Sequence, residues 1–157
     1  MRIIGIDPGT GILGFGVIEA DKNGKVKLVD GGVIKTKTNQ ALDERLIEIY
    51  RHLASEIART KPSVMAVEKL FFAQNVTTAI SVSHARGVAM LAGKLAGLQI
   101  AEYTPLQIKQ ALTGYGRADK KQIQEMVRVL LSLKEIPKPD DCADALACAI
   151  AHSMTVR

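Results

Sequence analysis

The chain is short of the residues that most often betray a site by themselves. Its 157 residues include no Trp, three Phe, three Tyr, three His and two Cys. Cys142 and Cys148 are six positions apart, which is neither a CxxC pair nor a zinc spacing. On a helical pattern they face different sides, so they read as two small buried hydrophobes in a reducing compartment. His52, His84 and His152 have no partners at a ligand or catalytic spacing and read as structural or surface residues. No apolar run approaches the roughly 20 residues of a membrane span. The start, MRIIGIDPG, has no long apolar stretch before a cleavage site and reads as a strand rather than a signal peptide. These absences point to a cytoplasmic protein with no membrane partner. There is no low-complexity tract and no internal repeat.

What is present fits one globular domain over residues 1–157, with 47% hydrophobic and 24% charged residues. The formal net charge is +5, which suits a polyanionic partner without requiring one. The excess is uneven. Between Pro105 and Lys134, Lys109, Arg117, Lys120, Lys121, Arg128 and Lys134 are opposed only by Asp119 and Glu125.

The spacing predicts strands at Arg2–Asp7, Ile12–Ala20 and Lys25–Lys35. Their connections are too short for parallel crossovers, so they form an antiparallel meander. Leu42, Leu46, Ile49, Tyr50, Leu53 and Ile57 draw the apolar stripe of a helix that Pro62 ends. A short strand runs from Val64 to Val67 and stops at Glu68. Asn75 is placed to cap a long helix ending near Ala96, with Gly97 beyond it. A fifth strand, Gln99–Tyr103, precedes a capping box at Thr104–Gln107 and a stop at Gly114. Asp119 to Gln122 starts another helix, closed by Pro137 and Pro139, and a last helix runs from about Asp140 to Met154.

This order gives an α/β fold: a five-stranded mixed sheet, with a three-strand antiparallel meander plus two parallel strands, flanked by helices. A right-handed crossover that sets the fourth strand beside the first brings their carboxyl ends to one edge. Asp7 and Glu68 then become neighbours across 61 positions. Asp7, inside GIDPGTGILG, has two readings: an Asp-Pro-Gly turn residue, or a metal ligand at a strand end. Asp141 and Asp144 are i and i+3 in the apolar helix PDDCADALACAIA, where a charged Asp needs a partner or a cation. Asp140 has a ready role as N-cap. Four such acids at one edge repel one another unless a divalent cation such as Mg²⁺ neutralises them.

The segments GIDPGTGILGFGVIE, AVEKLFFAQN, the ARG of HARGVAM, Thr104–Lys121 and PDDCADALACAIAH together resemble the RuvC family of bacterial Holliday-junction resolvases. The likeness runs over nearly the whole chain in order. It implies a ribonuclease H-like fold, a homodimer, and Mg²⁺-dependent endonuclease activity on four-way DNA junctions in recombination and repair. One or two Mg²⁺ per subunit are expected, with Mn²⁺ as a substitute. Asp7, Glu68, Asp141 and Asp144 match the catalytic, metal-holding acids. Phe71 matches a position that probes bases at the exchange point, with Phe72 beside it. Lys109 and Lys120 match basic positions near DNA, and Arg117 and Lys121 join them by proximity. The long helix rich in small residues matches the dimer interface, and a branch-migration complex of RuvA and RuvB is the implied partner.

Three rivals stand beside this reading. An actin-like ATPase or sugar kinase also uses an Asp-x-Gly-Thr-like turn, but needs two related domains and a second such loop. A non-catalytic junction-binding module would not need four acids, and losing one would cost it nothing. Another ribonuclease H-like nuclease, acting on RNA, shares the acids but not the FFAQN and DDCADALA segments.

Overall fold

The computed structural model describes residues 1–70 and 76–156. Ten elements follow in the order β1 (Arg2–Asp7), β2 (Ile12–Ala20), β3 (Val26–Lys35), α1 (Leu42–Thr60), β4 (Val64–Glu68), α2 (Val76–Leu95), β5 (Gln99–Tyr103), α3 (Pro105–Thr113), α4 (Lys120–Leu130) and α5 (Asp140–Thr155). The sheet order is β3-β2-β1-β4-β5. β1, β2 and β3 pair antiparallel, while β1–β4 and β4–β5 are parallel. This is the mixed sheet that the chain's short and long connections predict.

Strand alternation sorts side chains between two cores. On β1, Ile4 and Ile6 join a core with α1 and α2, and on β4 Met65 and Val67 do the same. Ile3 and Ala66 face the opposite core, built on α3, α4 and α5. Asp7 and Glu68 keep the parity of Ile3 and Ala66, so both acids end their strands on the α5 side. Among the described residues no helix is long and apolar enough to cross a membrane.

Helix starts follow local chemistry. Thr104 and Gln107 form a full capping box with Pro105 in the first turn, and Asp119 and Gln122 form a second. Gly97 and Gly114 follow their helices with φ of 80° and 70°, the left-handed turn glycine adopts freely. Three expectations need correction. α4 stops at Leu130, well before Pro137, because the chain turns back at Ser132 (φ 54°) and Leu133 folds onto the core. Asp140 caps nothing: Pro139 holds the cap position of α5, and the Asp140 side chain turns to Lys120 instead. Leu42 begins α1 but stays exposed, so the stripe reaches the core only from Leu46 onward. Asn75 lies outside the described residues.

Candidate acidic site at the carboxyl edge of the sheet

The site begins with a backbone fit. Asp7 pairs with Gly14 across β1 and β2. A Cβ on Gly14 would sit 2.0 Å from the main-chain oxygen of Asp141, and one on Gly5 would sit 2.0 Å from that of Ala145. The two glycines therefore let the first turns of α5 lie directly on the sheet. That contact brings Asp141 beside the Asp7–Gly14 pair. From Cys142 to Ser153, α5 is buried at every residue except Asp144, which is partly exposed at the site.

The acids feel one another. Asp7 is pushed up to about 8, first by burial and then by the charges of Glu68, Asp144 and Asp141. Burial and Asp144 also raise Glu68, against the opposing pull of Lys109 and Lys120. Burial raises Asp144 as well, with Lys120 acting against it. Among the described residues, none gives Asp7 a hydrogen bond that would offset its burial. The contrast with Asp21 is direct: its Oδ1 accepts from the N–H of Asn23 and of Lys25 at 2.8 and 2.9 Å, as a turn aspartate does. Asp7 has the position of a turn residue but, among the described residues, none of its bonds.

Lys120 is the cation at hand. Its Nζ lies 3.2 Å from Asp140 Oδ2 and 3.2 Å from Asp144 Oδ2. Burial alone would lower the Lys120 pKa, but these two carboxylates raise it. A cleft of about 200 Å³ is lined by Glu68, Asp144, Lys109 and Lys120, with Ile108 and Ile123 behind them. Lys109 and Lys120 thus stand with the acids. Lys121 and Arg117 do not: Lys121 lines a separate cleft with Tyr115 and Glu125, and Arg117 is exposed between α3 and α4. Phe71 and Phe72 lie outside the described residues.

Oxygen donors of this kind suit a hard divalent ion. Among the described residues, no three Asp, Glu, His or Cys side chains are already drawn together at ligation distance. Asp7, Glu68 and Asp144 are nevertheless each raised by burial and by a neighbouring carboxylate.

Sequence reading missed Arg86, whose Nε donates to the main-chain oxygen of Glu68 at 3.2 Å. The signal was a lone cation inside the small-residue run SVSHARGVAML. It also missed the 2.6 Å bond between Thr10 and Ser81, which ties the turn after Asp7 to α2. His152 is structural as expected, and its Nδ1 bonds the Tyr103 hydroxyl at 2.8 Å. Cys142 and Cys148 are both buried and free.

A meander, two parallel strands, acids closing β1 and β4, and two more acids on the helix laid across them define a ribonuclease H-like protein. A family model described as crossover junction endodeoxyribonuclease RuvC matches residues 3–152, and the chain belongs to that family. A RuvC of Alkaliphilus metalliredigens is 54% identical over 153 residues, covering 98% of this chain and 93% of the relative. The solved RuvC of Thermus thermophilus superposes with a TM-score of 0.94 at 39% identity, covering 100% of this chain and 96% of that one. The same protein in complex with a Holliday junction substrate gives a TM-score of 0.92 at 36% identity, with the same coverage. The family implies a divalent metal cofactor.

Proposed function

We propose that the whole chain is one nuclease domain that resolves four-way DNA junctions by paired symmetric nicks, in the cytoplasm, during recombination and repair. The observation that carries this reading is that Asp7, at the sheet edge, feels the charges of Glu68, Asp144 and Asp141, in a chain built like a relative solved with a Holliday junction.

These four acids would hold one or two Mg²⁺, with Mn²⁺ as substitute. The bound ion would supply an activated water and positive charge for the leaving oxygen. Asp7 and Glu68 would hold it from the ends of β1 and β4, and Asp141 and Asp144 would hold it from α5. Lys109 and Lys120 offer charge to the phosphates beside the scissile bond, while Arg117 and Lys121 serve a more distant stretch of backbone. Such contacts give affinity that falls with salt rather than sequence choice. Phe71, with Phe72 beside it, stacks on unpaired bases at the exchange point.

The chain works as a homodimer through α2, because a twofold pair of sites matches two opposed strands. The exposed side chains of Ile80, Leu91 and Leu95 support this. RuvA and RuvB would deliver the junction. The test is a synthetic four-way junction beside a matched linear duplex, each with Mg²⁺ and with chelator. Paired, Mg²⁺-dependent nicks in the junction alone are expected. Equal cutting of both substrates would contradict the reading.

A further inference from the structure

Glu68 ends its strand paired on the β5 side only. The β1–β4 register stops at Ile6–Val67, one residue short of Glu68. On the other side, β5 pairs up to Tyr103, whose oxygen accepts the N–H of Lys69 at 2.8 Å. The Glu68 carbonyl takes its donor from outside the sheet: Arg86 Nε on α2 reaches it at 3.2 Å. The same guanidinium pairs with the Glu102 carboxylate on β5. Arg86 is the more enclosed partner, its side chain 20% exposed against 37% for Glu102. Buried Ala85 and Ala89 on the same helix let α2 come close enough for the reach.

A planar guanidinium presents donors in a fixed fork. Here one side of the fork grips the main chain of an acid-bearing residue, and the other is tethered to the neighbouring strand. Fixing the main chain at Glu68 limits the directions its carboxylate takes. We propose that Arg86 is a positioning residue for Glu68, holding the end of β4 so that its carboxylate is ready for the metal. This rests on the proposed role of Glu68 as a metal-holding acid. A plain α2–β5 ion pair would make Arg86 and Glu102 equal partners. Positioning makes them unequal, because Glu102 only steadies the guanidinium.

The test uses Arg86→Gln, Glu102→Gln and Glu68→Gln in the full chain, with Mn²⁺ binding read by electron paramagnetic resonance and single-turnover cutting of a four-way junction in Mg²⁺. Removing an outer partner of a metal ligand typically weakens metal binding by about 10- to 100-fold. Arg86→Gln is therefore expected to weaken Mn²⁺ binding by about tenfold. Its cutting should slow at low Mg²⁺ and recover at high Mg²⁺, with metal-free junction affinity within about twofold of wild type, since Arg86 meets no phosphate in this role. Glu102→Gln should shift Mn²⁺ binding by less than about threefold, as it leaves the Nε–carbonyl bond in place. Wild-type Mn²⁺ affinity in Arg86→Gln, or equal losses in Arg86→Gln and Glu102→Gln, would overturn the proposal. Should Arg86→Gln not fold, Arg86→Met keeps the packed stem without donors and is judged by the same thresholds. Full cutting by Glu68→Gln would defeat the acid-site reading itself. An inactive Glu68→Gln beside an unaffected Arg86→Gln defeats only the positioning role.

Discussion

Helices α5 and α2 lie on opposite faces of the same sheet, and they are finished to different degrees. α5 is buried around almost its whole circumference, on glycines that let backbone touch backbone. α2 buries Ala85, Ala89, Ala92 and Gly93, yet leaves Val76, Ile80, Leu91 and Leu95 more than half exposed. Val88 and Met90 reach the core beside these small residues, but four large apolar side chains stay in the open, more than a surface helix serving its own fold needs. The difference separates two tasks. α5 sets two acids against the sheet with the precision of a packed core. α2 bonds the strand ends through Arg86 and Ser81 and leaves an apolar face exposed, the face assigned above to a proposed second copy.

Substitutions can break this comparison, and the largest effect is expected where α5 meets the sheet. Gly14→Ala should cost about 3 kcal/mol, because the added methyl overlaps the Asp141 main chain. A lowered urea midpoint with unchanged slope checks it. Next comes the acid beneath α5. The folded Asp7 keeps its proton up to about 8, against an ordinary value of 3.8, so between those limits the folded state binds more protons than the unfolded. Metal-free stability should therefore fall as pH rises through that window. Asp7→Asn removes the Asp7 part of that fall, and at pH 9 it should gain about 1–2 kcal/mol, or about 3–6 °C in Tm, while at pH 3 it should match wild type. Tyr103→Phe leaves the His152 ring without its buried partner and should cost about 1 kcal/mol in the same urea titration. The smallest effect on the fold sharpens the contrast. Leu91→Lys, on the open face of α2, should change monomer stability by less than about 0.5 kcal/mol, yet sedimentation should show the dimer lost.

Most of the framework was legible in the sequence because local signals and packing agree. The Ile-rich run of β1, the capping boxes at Thr104 and Asp119 and the Pro-Asp start of α5 each name their element. The neighbourhood of Asp7 and Glu68 followed from handedness and strand direction once the fourth strand was set beside the first, where the structure has it. What escaped was set by side chains crossing between elements. Asp140 looked like a cap because Asp before an apolar helix usually is one, but Lys120 from α4 claims it. Lys121 and Arg117 looked equivalent to Lys120 along the chain, yet α4 turns Lys121 to a different face from Lys120, and Arg117 lies in the turn before α4. The bond from Arg86 to the Glu68 carbonyl spans 18 positions between unrelated elements, and no local pattern announces it.

In the proposed function, Asp7 sits at the end of β1 to hold a metal ion for junction cutting. The direct measurement is single-turnover cleavage of a four-way junction by wild type and Asp7→Asn, in Mg²⁺ and again in Mn²⁺, with metal-free junction binding followed alongside. Asp7→Asn should bind the junction as wild type does and cut it at least about 10³-fold more slowly, the scale of losing a group that stabilises the transition state. Cutting within a few-fold of wild type would return Asp7 to the role of a turn residue and contradict the account.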